Sequence, residues 1–136
     1  MIEQIQAKKH PFIMCNFAPP DMVGHTGEYE PTVKACEATD KEIGRIYEAC
    51  KANGYTLLVT ADHGNAEKMI DENGGKFTAH TCYKVPFTCS SSKYIFKKSL
   101  PNRDMALRDV APTCLHIMGL PIAPEMDGVS LVDEKN

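Results

Sequence analysis

The sequence has no apolar run near the roughly 20 residues needed to cross a bilayer as a helix, so a membrane-spanning reading is set aside. It also lacks a strong excess of either charge. The formal net charge is -3, and the basic residues are scattered apart from Lys8-Lys9 and Lys97-Lys98. Neither nucleic acid nor an anionic membrane is therefore an expected partner. Met1 to His10 are polar and of mixed charge, without the apolar centre of a signal peptide. No C-x-x-C pair occurs among the six cysteines, Cys15, Cys36, Cys50, Cys82, Cys89 and Cys114. Three of them fall on apolar faces of predicted elements. A chain of 136 residues has room for a hydrophobic core without disulfide staples, so buried, reduced thiols in a cytoplasmic protein are expected. Internal repeats, heptads and low-complexity tracts are absent too. What remains is an ordinary one-domain composition, 43% hydrophobic and 24% charged.

The pattern of elements points to the α/β class. Ile2 and Ile5, three apart, mark residues 2–9 as the end of a helix. The run Pro11-Phe12-Ile13-Met14-Cys15-Asn16-Phe17 is apolar on both faces, as in a buried parallel strand, and Ala18-Pro19-Pro20 closes it. A loop with Asp21, Gly24, His25 and Gly27 precedes a long helix over about 31–53. Along it Val33, Cys36, Ile43, Ile46, Tyr47 and Cys50 share one face, and Asn53-Gly54 stops it. Tyr55 to Thr60 reads as a second buried strand, which makes a βαβ unit with a parallel sheet. Asn73-Gly74-Gly75 marks an exposed turn, and Val85 to Ser90 a third strand. A last helix spans about 109–118, with Asp109 as its cap, Pro112 in its first turn and Gly119 just past its end.

In open parallel sheets, ligands collect beyond the carboxyl ends of the strands. Three polar segments fall there. Asp21 and His25 lie four apart, so one turn of helix or a tight loop aims both at one ion. Asp62-His63-Gly64 follows the second strand, with the glycine allowing close approach, and His80 stands just before the third. Aspartate and histidine suit manganese, zinc or cobalt, and magnesium is also open. The absence of thiolates in these segments speaks against a structural zinc finger. Five ligands exceed one open site and fit a pair of ions that activates a nucleophile and clamps a phosphoryl group. Each residue has a plainer role open to it, Asp21 as a helix cap and Asp62 as a turn residue. His10 and His116 are read as surface and helix-terminal residues.

The segment Cys15-Asn16-Phe17-Ala18-Pro19-Pro20-Asp21-Met22-Val23-Gly24-His25-Thr26-Gly27 resembles the cofactor-independent phosphoglycerate mutases. So do Val59-Thr60-Ala61-Asp62-His63-Gly64-Asn65-Ala66-Glu67, Thr78-Ala79-His80-Thr81, Asp109-Val110-Ala111-Pro112-Thr113 and Met118-Gly119-Leu120-Pro121. The resemblance runs in order from about residue 11 to 133. It implies an alkaline-phosphatase-like fold with a partly parallel sheet flanked by helices, incomplete here. It also implies two metal ions, manganese above all. Asp21, His25 and His80 would hold the first, and Asp62 and His63 the second. Full-length members interconvert 3-phosphoglycerate and 2-phosphoglycerate through a phosphoserine, as cytoplasmic, monomeric enzymes of glycolysis.

In the family, the nucleophilic serine, one more aspartate of the second site and the substrate-binding arginines come from stretches that do not match this chain. Residues 1–136 are accordingly read as the carboxy-terminal part of the metal-binding, phosphatase-like domain, inactive by itself. The catalytic and substrate-binding residues are expected elsewhere. The rival readings are another enzyme of the same superfamily, a phosphopentomutase or phosphatase, and a non-catalytic metal-binding domain.

Overall fold

The computed structural model describes residues 1–135, which form two compact units, Met1–Ser90 and a second from Ser91 onward. In the first, α1 (Ile2–Ala7) and the long α3 (Tyr29–Asn53) enclose a small core of Ile5, Ile46 and Cys50. Ile2, Ile13, Phe17, Ala49, Tyr55 and Leu57 pack around it. The apolar stripe of α3 is narrower than its sequence predicts: Ile46 and Cys50 are buried, whereas Cys36 and Tyr47 are exposed. Gly54 ends α3 in the left-handed conformation at φ 79°, as the Asn-Gly pair leads one to expect.

The expected strand over 11–17 is not formed. The segment has no regular secondary structure: Ile13 and Phe17 lie against the core, Phe12 and Met14 face outward, and no strand among the described residues pairs with it. A strand is defined by its partner's hydrogen bonds, and without a partner an apolar run is not one. The second and third expected strands shorten to β1 (Leu58–Thr60) and β2 (Phe87–Cys89). They pair antiparallel, Val59 opposite Thr88, so the only sheet of this unit among the described residues is an antiparallel pair.

The expected loop before α3 begins as a helix, α2 (Pro19–Gly24), with the two prolines opening it. The first backbone N–H groups of a helix have no partner within it, so proline there loses no bond. The Gly-rich turn is present: Gly74 has φ 80°, and the Asp71 carboxylate accepts from the Asn73 and Gly75 N–H groups, each at 2.8 Å.

The second unit holds an antiparallel pair, β3 (Tyr94–Phe96) with β4 (Val132–Glu134), and a 3-10 turn (Leu107–Asp109) leading into α4 (Val110–Ile117). Asp109 does not cap α4 with its side chain. It is fully buried, and its carboxylate accepts from the Arg103 guanidinium and from the N–H groups of Ala106 and Val129. Buried Thr113 donates to the Asp109 carbonyl at 2.7 Å and accepts from Leu131 N–H at 2.9 Å. Pro112 sits in the first turn and Gly119 follows the last with φ 69°. His116, in the last turn, meets the Ser130 hydroxyl through Nδ1 at 2.6 Å. All six thiols are unbridged, yet only Cys50 is buried, while Cys15, Cys36 and Cys82 are exposed, against expectation. No helix among the described residues is long and apolar enough to cross a membrane.

Candidate metal centre

Four of the five predicted ligands converge in the first unit. α2 delivers Asp21 from within the helix and His25 from its C-cap, one turn apart. His63 follows the end of β1. His80 is brought in not by a following strand but by a backbone bridge between Gly64 and Thr81, whose N–H donates to the Gly64 carbonyl at 2.8 Å.

Asp21 Oδ1 lies 3.3 Å from His25 Nε2 and 3.3 Å from His80 Nε2, and the two Nε2 atoms are 3.1 Å apart. Ligand atoms held about 2.0–2.2 Å from a common ion at octahedral to tetrahedral angles stand about 3.0–3.5 Å from one another. The observed triangle has that size.

The hydrogen bond on the far side of His25 sharpens the point. Its Nδ1 lies 2.6 Å from the Thr78 carbonyl oxygen, which only accepts, so Nδ1 carries the proton. On the neutral ring, Nε2 then presents a lone pair toward a carboxylate and a second imidazole. The Asp21 carboxylate and this lone pair thus face His80 Nε2, an arrangement that can take up a shared cation. A carbonyl fixing the tautomer of a ligating histidine is the usual support of a metal centre.

His63 joins the cluster from one side. Its ring stacks on His80 with centroids 3.6 Å apart, and its Nδ1 is 4.0 Å from Asp21 Oδ1. Asp21, His63 and His80 thus also offer ligand atoms within 4.8 Å of one another. The fifth residue stands apart: Asp62 is 77% exposed, and its Oδ1 lies 3.7 Å from His63 Nε2, on the nitrogen not turned toward Asp21. The set contains no thiolate, and its oxygen and imidazole donors fit manganese, cobalt or zinc.

Around these residues runs a layer that the sequence did not single out. Asn65, 6% exposed, donates through Nδ2 to Asp21 Oδ1 at 2.8 Å. Glu67 accepts from Asn65 N–H at 2.7 Å and from the Thr81 hydroxyl. The glycine beside His63 has its use here: a Cβ on Gly64 would collide with the Glu67 carboxylate and the Thr81 hydroxyl. Burial pushes the Asp21 carboxyl up, but the Asn65 hydrogen bond and the His25, His63 and His80 rings outweigh it and hold it below its usual value. Burial also raises Glu67, and the bonds from Thr81, its own N–H and Asn65, with His63 nearby, pull it below the usual range. The available signal was spacing alone: His63, Asn65 and Glu67 recur at every second residue of one loop.

The description of the metalloenzyme superfamily matches residues 1–122. The chain is 69% identical over 134 residues to the 2,3-bisphosphoglycerate-independent phosphoglycerate mutase of Brugia malayi and 66% identical to that of Caenorhabditis elegans. These alignments cover 98% of this chain in each case, but 26% and 25% of the relatives, so the chain spans about a quarter of their length. A crystal structure of Leishmania mexicana phosphoglycerate mutase at low cobalt concentration superposes with a TM-score of 0.86 at 27% identity. That likeness covers 98% of this chain and 27% of the other.

Proposed function

The chain belongs to the metalloenzyme superfamily, and from that premise we propose that it is the metal-binding part of a cofactor-independent phosphoglycerate mutase. The whole protein would interconvert 3-phosphoglycerate and 2-phosphoglycerate in glycolysis, as a cytoplasmic monomer. The observation that carries the metal reading is the triangle of Asp21 Oδ1, His25 Nε2 and His80 Nε2, with the His25 tautomer fixed by Thr78. The names and identity of the relatives support the choice of reaction.

We assign Asp21, His25 and His80 to a first ion, manganese in preference to cobalt, zinc or magnesium, and Asp62 and His63 to a second. When bound, such ions supply Lewis acidity and neutralise charge on a transferring phosphoryl group. The chain's own residues then have defined tasks. Thr78 keeps His25 in the ligating tautomer, Asn65 holds Asp21 in place, and Gly64 leaves room for the support beneath the loop. The nucleophile, the substrate-binding residues and a further ligand of the second site are assigned to the remainder of such a protein, so the 136 residues alone should not turn over phosphoglycerate. In the whole protein we also place residues 11–17 as a strand of a partly parallel, alkaline-phosphatase-like sheet. The packing of Ile13 and Phe17 against the same core cluster as Leu57 favours this.

Calorimetric titration of the chain with manganese tests the metal reading. One site is expected, with a second much weaker because Asp62 and His63 lack partners. Affinity should weaken on acidification, because protons compete with the ion for the imidazoles. Binding that is unchanged in the His25→Ala/His80→Ala double variant sinks the assignment.

A further inference from the structure

The ligand-bearing segments are far apart in sequence, and one carboxylate that is not itself a candidate ligand joins them. Glu67 Oε2 accepts the Asn65 N–H at 2.7 Å, on the loop that carries His63. Its Oε1 accepts the hydroxyl of Thr81, next to His80. Asn65 in turn grips Asp21 at 2.8 Å, on α2. The path Thr81–Glu67–Asn65–Asp21 therefore touches all three segments, and its centre is a side chain with two oxygens facing two donors. Gly64 supports the same conclusion, because any side chain there would occupy the space that this carboxylate and hydroxyl fill.

We propose that Glu67 is a positioning residue that latches the His63 loop to the His80 segment and so sets the spacing of the ligands. This rests on reading the cluster as a metal centre, and it adds what holds that centre together without metal. Near the ligands the other ties between the segments are the Gly64–Thr81 bridge and the His25–Thr78 bond. Farther along stand the exposed Lys76–Glu28 ion pair, the Ile70–Lys76 bridge and the Phe77 N–H bond to the Met69 carbonyl at 2.9 Å. Loss of the latch leaves the Asn65 N–H and the Thr81 hydroxyl without their acceptor and frees the stacked His63 and His80 rings to separate. Glutamine keeps the latch, since its amide oxygen can accept from Asn65 and its NH2 can donate to the Thr81 oxygen. Methionine of similar length removes both bonds.

The test uses the 136-residue chain and two readouts. The first is metal-free: nuclear Overhauser contacts between the His63 and His80 rings, whose centroids lie 3.6 Å apart. These should be strong in the parent chain and in Glu67→Gln, and lost in Glu67→Met. The second is manganese affinity, expected to fall about 10–100-fold in Glu67→Met, as for other outer supports of metal ligands, and to recover in Glu67→Gln. Ring contacts that persist in Glu67→Met overturn the proposal, as does a Glu67→Gln chain that loses them while keeping native circular dichroism. Should Glu67→Met fail to fold, Thr81→Val decides: it removes one bond of the latch, and undiminished ring contacts there also refute it. A parent chain that shows the ring contacts but takes up no manganese defeats the metal reading and leaves the latch standing.

Discussion

Replacing Asp109 by alanine is the sharpest test of what holds the second unit together. The residue is fully buried, and its two oxygens accept Ala106 N–H at 2.9 Å, Val129 N–H at 2.9 Å and two bonds from Arg103. Arg103 is 24% exposed and can turn toward water once its partner is gone, so in Asp109→Ala it leaves no stranded charge behind. The two backbone donors cannot move without shifting the 3-10 turn and the 126–130 segment. Ala106 and Val129 are themselves exposed residues, but each donates to a buried carboxylate. A hydrogen bond to a charged group contributes about 1.5–3 kcal/mol, so the pair sets a loss of about 3–6 kcal/mol. That is a large share of the roughly 5–15 kcal/mol that holds a domain of this size.

Acid provides an independent check on the same residue. The Arg103 hydrogen bonds hold the Asp109 carboxyl far below its usual value, and they outweigh the burial that pushes it up; Val129 and Ala106 N–H add to them. A carboxyl depressed in the folded state stabilises fully above its unfolded pKa of about 3.9 and loses that contribution as the pH falls below it. The gap between the parent and Asp109→Asn should thus be open at pH 7 and narrow steadily below about pH 4. The chain has no tryptophan, so urea unfolding is followed by far-ultraviolet circular dichroism, with amide exchange at Val129 and Leu131 reporting on this unit. A loss under about 1 kcal/mol in Asp109→Ala, or a gap for Asp109→Asn that ignores pH, would refute the account.

Two glycine substitutions should separate crowding from backbone strain. In Gly24→Ala the new Cβ would meet the Asn65 amide, so Asn65 must leave Asp21, and a manganese titration should show weaker binding with the fold retained; unchanged affinity would remove Asn65 from the site. In Gly54→Ala nothing lies within 4 Å of the added carbon and only the left-handed φ of 79° is strained. Stability should fall by about 1–2 kcal/mol with metal binding untouched, and a larger loss in urea unfolding would contradict the open surroundings.

Local signals in the sequence were followed closely wherever one stretch of chain contains its own cause. The Asn53-Gly54 stop, the Gly74 turn, Pro112 in the first turn of α4 and Gly119 at its end all stand as read. The misreadings concern what a segment meets across space. Residues 11–17 have the composition of a buried strand, but strand identity comes from a neighbour's hydrogen bonds, and none is there among the described residues. Asp109 precedes a helix, where aspartate commonly caps, yet Arg103 and Val129 offer its carboxylate stronger donors than the helix does. Cys36 and Tyr47 lie near the apolar stripe of α3, but the core they would face is smaller than the stripe.

The centre divides along the same line. Asp21 and His25 were legible because their four-residue spacing becomes one turn of α2, and His63 because it follows β1 directly. Asn65, Glu67 and Thr81 were not, since each is an ordinary polar residue until its partner is known. Their bonds run between positions 14 to 44 residues apart, except the local one from Asn65 N–H to Glu67. Ligand chemistry is written in residue type, because few side chains hold an ion. The support beneath it uses hydrogen bonds that many side chains can make, so geometry is needed to tell which of them do. The proposed metal site rests on both layers, and the second is where substitutions outside the ligand set are expected to act.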